Sequence, residues 1–387
     1  MERIQQINPD RIRWCSDDFG IAVDELSDRL HIAPERFERV LAGEDGLTFN
    51  QLRTMADFFG RGLLFFLETG KVSETSVRTP QFRSLSNEKP DLSPEVKRLI
   101  ERAERHREIY LALREELGAI EDRQRFDPPA VVAGQPAEAA AKVRVWLGLG
   151  KNPTEMHDFN AYRDAVEARG VLVLRSMGYL GAWRFPKDSS VIGFSLFFDL
   201  CPLIVVRKQH AEPRQTFTLM HELAHLILHR KSSIDVESNL WAQQGLEQDA
   251  NAFAGHLLVP DSFLAGIQGD APRNVNEYDD WLGMPGKTWG VSTEVVLRRL
   301  LDARRLQRTQ YEAYRKWKAE QPVPLEKEGG NRGYRHREPI HIFGQRYVRT
   351  VLDALGGNHI TLNKASAFLD NLKIVDVREL EKHIAGV

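Results

Sequence analysis

The sequence predicts an α+β protein: a small sheet packed on one chemically marked helix, flanked by an all-helical N-terminal region and a helical C-terminal region. Three observations carry this expectation. GVLVLRS (170–176), SVIGFSLFFDL (190–200) and PLIVVRK (202–208) are rich in β-branched and aromatic residues and bounded by turn formers, as short strands are. On either side, apolar residues recur every three or four positions, the period of an amphipathic helix. Between them, FTLMHELAHLIL (217–228) sets His221, Glu222 and His225 inside an otherwise apolar helical run.

In chain order, residues 1–70 read as short helices with sharp punctuation. An amphipathic first segment (Ile12, Trp14, Phe19) precedes AVDELSDRLHI, PERFERVLAGEDG and FNQLRTMADFFGRGLLFFLE. Pro34 suits a first helical position, and Gly43 and Gly46 suit stops, so the second and third segments form a helix-turn-helix candidate. Phe58, Phe59, Phe65 and Phe66 are expected as core or as a docking face. Residues 71–130 hold a polar, proline-containing linker, with Phe82 free to dock, and a charged helix over 93–120. Residues 131–310 form the central domain. It contains the helix AAAKVRVWLGL, the three strands, helices at 215–229 and 245–258, an irregular stretch at 261–290 and a helix over 293–318. Residues 311–387 supply a basic connector and a small helical tail from about residue 343.

Composition bounds the function. With 387 residues, 53 Lys plus Arg and 55 Asp plus Glu, the formal charge of -2 exerts no global pull toward nucleic acid or anionic lipid. Cys15 and Cys201 are the only cysteines, which excludes a disulfide framework and a four-cysteine metal cage; both are expected as buried thiols in a reducing compartment, by default the cytoplasm. The N-terminus has no apolar leader segment, and no run approaches the roughly 18 apolar residues that span a bilayer.

The chemistry lies in two helices. Residues four apart share a helix face, so His221 and His225 can present two imidazole nitrogens to one ion, with Glu222 beside them. A carboxylate in that place takes a proton from water, while the metal polarises a carbonyl and lowers the water's pKa. The apolar flanks predict a deeply packed helix, in which unpartnered imidazoles and a carboxylate would cost several kcal/mol. A metal removes that cost. A third protein ligand would leave the fourth position to water. His229 lies eight residues beyond His221, about 12 Å along the axis, too far for the same ion, and suits a helix end instead. In GLEQDANAFAGHLLVP, Glu247 is favoured and Asp249 and His256 are its rivals, while Asn251, one turn beyond Glu247, is placed to orient a ligating histidine. Zinc is the expected ion, exchangeable with Mn2+.

RQTFTLMHELAHLILH followed by LEQDANAFAGHLLVP resembles the ImmA/IrrE family of metallopeptidases, which pairs such a helix with a downstream ExxAN helix. The likeness extends over most of residues 1–310 and is weak for the tail. It implies a zincin-like core and a cytoplasmic zinc endopeptidase that cuts an intracellular transcriptional repressor, so derepressing stress or mobile-element genes. It also implies His221, His225 and Glu247 as ligands, Glu222 as catalytic base, Asn251 as a supporting residue, and an N-terminal helix-turn-helix like that of XRE-type regulators. Met220 and Ala224 depart from the usual small residue and glycine of the first motif, a matter of packing rather than chemistry. The substrate is expected to add as a strand to an exposed sheet edge, with 202–208 as the nominated edge. His210, His256 and Tyr179 are left open as an extra oxyanion donor.

Local charge bears on a second partner, DNA. Residues 1–70 carry eight Lys/Arg against thirteen Asp/Glu, a net of -5 and the wrong sign for gripping phosphates. In the third segment Arg36 and Arg39 are offset by Glu35 and Glu38. Residues 298–349 carry fourteen Lys/Arg against six Asp/Glu, a net of +8, interleaved with Tyr311, Tyr314, Trp317 and Tyr334. The alternative to an enzyme is therefore a DNA-binding regulator or antitoxin-like interaction protein whose metal site is structural or vestigial.

Overall fold

The computed structural model describes residues 3–72, 79, 81, 92–119, 125–132, 134–177, 181–242, 244–322 and 332–386. The chain forms two compact units, Met1–Glu101 and Arg102–Val387. It is mixed α and β, mostly helical with a small sheet. No helix among the described residues is long and apolar enough to cross a membrane. Phe82, most of the expected linker, and Tyr179 lie outside the described residues.

The first unit contains α1 (Pro9–Phe19), α2 (Val23–Arg29), α3 (Pro34–Leu41) and α4 (Phe49–Phe59). A two-stranded ribbon not foreseen from the sequence joins β1 (Arg3–Ile4) to β2 (Leu47–Thr48) in antiparallel register. Side-chain caps mark the starts of α1 and α4. Asn8 caps the start of α1 and left-handed Gly20 its end, while Thr48 and Gln51 form a reciprocal capping box on α4. Ile12, Cys15, Leu26, Phe37, Val40, Leu52, Met55, Phe59 and Phe66 fill the core, and Phe58 and Phe65 pack on it edge-on. Arg36 and Arg39 turn toward the buried carboxylate of Asp45, at 3.7 and 4.0 Å, and Arg3 holds the same group at 2.9 Å.

Helix α5 (Pro94–Glu116) carries the chain into the second unit, whose sheet has four strands in the order β3-β5-β4-β6: β3 (Leu172–Arg175), β4 (Val191–Leu196), β5 (Leu203–Val206) and β6 (Ser233–Val236). β3 and β5 are parallel, and the other pairs are antiparallel. β5 corresponds to the segment nominated as a sheet edge. It lies inside the sheet with partners on both sides; the edges are β3 and β6. The fourth strand, β6, is the one the sequence did not declare, because SIDV is short and carries a charge at its third position.

Helices α6 (Pro136–Trp146), α7 (Phe159–Glu167), α8 (Glu212–Ala224) and α9 (Gly245–Leu258) surround this sheet. α8 lies across β4 and β5, and α9 packs on α6 and α8. Leu219, Met220, Leu223, Ala224, Leu226 and Ile227 are buried there, and each large aliphatic contributes about 1.5–3 kcal/mol by leaving water. Beyond a short helix α10 (Asp261–Leu264) come α11 (Tyr278–Trp289), α12 (Thr293–Asp302) and α13 (Arg308–Ala319). So the stretch expected to be irregular holds a helix, and the single helix expected over 293–318 is two.

The C-terminal helices are α13's successors α14 (Glu338–Gly356), α15 (Leu362–Phe368) and α16 (Ile374–Ala385), and α14 packs against β3. Arg163 of α7 anchors this contact. Its guanidinium is 2% exposed, pairs with Glu167 at 3.0 Å, and donates to the carbonyls of Val173, Ile340 (3.3 Å), His341 (3.0 Å) and Ile342 (2.8 Å). Gly344 breaks α14 at φ 80°, where a Cβ would stand 2.5 Å from Glu167 Oε1. The Nδ1 of His106 on α5 lies 2.8 Å from the Tyr347 hydroxyl, and its ring stacks on Phe343. Removing the arginine strands a buried carboxylate and four carbonyls. Arg163→Ala should therefore destabilise the second unit by about 3–5 kcal/mol in chemical denaturation, and adding Glu167→Leu should recover part of the loss.

Candidate metal centre

The two histidines of the HELAH motif sit at the C-terminal end of α8, where the helix runs into a wider π turn, His225–His229, and stops at left-handed Arg230. His221, Glu222 and His225 are all buried. His221 and His225 face each other with Nε2 atoms 3.1 Å apart. Glu247, in the first turn of α9, brings Oε2 to 3.2 Å from His221 Nε2 and Oε1 to 3.7 Å from His225 Nε2. The structure adds a residue the sequence reading missed. Asp235 of β6, wholly buried, directs Oδ2 to 3.4 Å from both imidazole nitrogens. One donor atom from each of these four residues lies within 4.8 Å of the others, so the cluster could hold a metal ion.

Each position has a local cause. Gly193 on β4 is what admits Glu222: a Cβ there would fall 2.8 Å from both Glu222 Oε1 and Thr218 Cγ2. Asp235 is its cross-strand partner, so the strand pairing brings that carboxylate to the same face as the glycine gap. Asp235 Oδ1 accepts from Asn239 Nδ2 at 2.9 Å, and the Asn239 carbonyl accepts from Asn251 Nδ2 at 2.9 Å. Asn251 was expected to orient a histidine. It steadies the turn after β6 instead.

His229 also departs from expectation. In the π turn its Nδ1 comes to 2.9 Å from Nδ1 of His225, so it supports that imidazole from behind rather than merely ending a helix. It stays outside the four-residue group, as the length of the helix required. Burial, with the neighbouring His225, lowers its pKa to about 4, which keeps it neutral and able to accept a proton bond from His225. Asp249 lines another cavity, together with Leu228, His229 and Lys231. His256 lines a separate cavity of about 210 Å³ with Phe217 and Asn251, and His210 is exposed. Neither joins the cluster among the described residues.

The electrostatics are those of a site made for a cation. Burial pushes Glu222 well above the usual carboxylate range, and the charge of Asp235 adds to this; neither carboxyl oxygen has a hydrogen-bond partner in the structure. Burial alone would raise Asp235, but His221 and His225 hold it well below its ordinary value. Burial alone would lower His221, yet Asp235 and Glu247 hold it up at about 9. Asp235 Oδ2 and Nδ1 of His221 have no hydrogen-bond partner. Two convergent imidazoles and two carboxylates, one of them with an inward-aimed oxygen that has no hydrogen-bond partner, fit a metal cation.

Residues 183–301 match the family model Peptidase_M78, the IrrE N-terminal-like domain. The match supports the ImmA/IrrE family, a family of peptidases, and it spans β4 through α12 and so the whole cluster. No curated protein matches the chain.

Glu247→Ala should reduce the metal content of the purified chain, measured by elemental analysis, whereas Asp249→Ala should not. His229→Ala should retain the ion but bind it about 10–100-fold more weakly in a chelator competition, since it removes only the support behind His225.

Proposed function

We propose that the protein is a zinc-dependent endopeptidase, able to use manganese in place of zinc, whose substrate is an intracellular transcriptional repressor that controls stress or mobile-element genes. The reading rests on one observation above all: a buried glutamate whose carboxyl oxygens lack a hydrogen-bond partner among the described residues follows directly on the first of two convergent histidines, beside two further carboxylates. His221, His225 and Glu247 hold the ion. When bound, that ion supplies Lewis acidity, polarising the scissile carbonyl and lowering the pKa of a water.

The remaining work falls to the chain. Glu222, in a dry recess with a high proton affinity, takes the proton of the attacking water at a carboxylate oxygen and passes it to the leaving amine. β6, which among the described residues pairs with β4 alone and so forms a sheet edge, receives the substrate as an added strand through main-chain hydrogen bonds. That replaces the interior strand β5 as the docking edge. The repressor as substrate follows from the likeness to the ImmA/IrrE family, and the acidic first unit suits a protein partner better than a phosphate backbone. There Arg36 and Arg39, the cations of the helix-turn-helix candidate, are already directed at Asp45. Cytoplasmic residence accords with two buried, unpaired thiols.

Glu222→Gln separates this reading from a metal-dependent regulator without catalysis. It should lower turnover of a protein substrate on the order of 100- to 10,000-fold while the metal content stays at the wild-type level, because a base and not a ligand has been removed. Wild-type function in that variant contradicts the enzyme.

A further inference from the structure

Three protein ligands leave an ion one open position for water; four close it. Donors about 2.0–2.2 Å from a tetrahedral ion stand about 3.3–3.6 Å apart. Asp235 Oδ2 meets that spacing to both imidazoles, 3.4 Å each, as well as Glu247 does at 3.2 and 3.7 Å. Its other oxygen is tied to Asn239, and Oδ2 itself, wholly buried, is aimed at the two Nε2 atoms with no hydrogen-bond partner.

We propose that Asp235 is a fourth protein ligand, so that the site shown here is closed and becomes competent only when Asp235 swings out and gives its position to water. The proposal rests on the metallopeptidase reading above and adds a gate to it. The element that carries the gate is suited to move. β6 is four residues long, its pairing with β4 contains a register shift between Val191 and Gly193, and a short 3-10 turn, Glu237–Trp241, follows it. Asn239 on that turn links Asp235 to Asn251, one turn beyond Glu247 on α9. A substrate strand adding to β6 therefore acts on the backbone that positions the fourth ligand. Docking and opening are one event, and unproductive hydrolysis at rest is suppressed.

The test uses the full chain loaded with Co2+ and titrated with azide, which shifts the visible spectrum only where a coordination position is open. The wild-type spectrum should stay unchanged at azide concentrations that shift the spectrum of Asp235→Ala. Chelator competition should show that Asp235→Ala holds the ion more than about 100-fold less tightly, beyond the roughly 10–100-fold range of outer-shell changes. An Asp235→Ala chain that folds but sheds Co2+ would overturn the gate, because the opened site must keep its ion on His221, His225 and Glu247. Equal azide responses in wild type and variant would overturn the gate and leave the peptidase reading intact. A wild-type chain that takes up no Co2+ would overturn both.

Discussion

The second unit is organised around a charge problem. Two imidazoles and the carboxylates of Glu222 and Asp235 are buried, with Glu247 at their rim, beside a core built mainly from aliphatic and aromatic side chains. Taking such groups out of water costs several kcal/mol each unless an opposite charge meets them. Asp235 and Glu247 hold His221 at about 9, so protons occupy the nitrogens at which the cluster could take a metal ion, and the competition between the two should ease as pH rises. The fold serves that competition. β4 contributes a glycine that makes room for Glu222, β6 contributes Asp235, α8 contributes the histidines, and α9 contributes Glu247.

Much of this was legible in the sequence because the helical part of the chemistry is periodic. His221 and His225 share a face by spacing alone, and Glu247 lies on the helix whose limits, Gly245–Leu258, the pattern gave correctly. What could not be read depends on pairing between distant strands or on a change of helical period. Asp235 is an acidic residue in a four-residue segment with no motif of its own, and only its register opposite Gly193 brings it to the cluster. The pairing of His229 with His225 follows from the π turn, which a 3.6-residue period does not encode. The one available signal for Asp235 was weak: a lone acid between Ile234 and Val236 in an alternating segment faces opposite to both. The choice of β5 as a sheet edge failed for a related reason, since three strands were visible and the order of four was not.

The peripheral elements show the same contrast. In the first unit the helical segments were readable from their periodicity, whereas the caps Asn8, Gly20, Thr48 and Gln51 and the β1–β2 ribbon were not read in advance. Its charge argument also carries into the structure, where Asp45 absorbs the arginines of α3 and β1. In the basic stretch, Arg308, Arg315 and Lys318 find Glu312, Glu294 and Asp279, so its formal excess overstates the charge available to a partner. Tyr311 and Tyr314 are buried rather than presented for stacking. Arg163, by contrast, gave no sign in the sequence of its part in fixing α14 against β3. Besides Glu167 and Val173, its partners are the backbone carbonyls of residues 340–342, some 180 residues away, and composition says nothing about them.

The account depends on a cation at the meeting point of α8, α9 and β6. The most direct measurement is the metal content of the purified full chain, by elemental analysis, alongside that of a His221→Ala, His225→Ala double variant. The account predicts about one equivalent of a zinc-type ion in the wild type and its loss in the variant. A folded wild-type chain that holds no ion, or a variant that keeps it, would contradict the account.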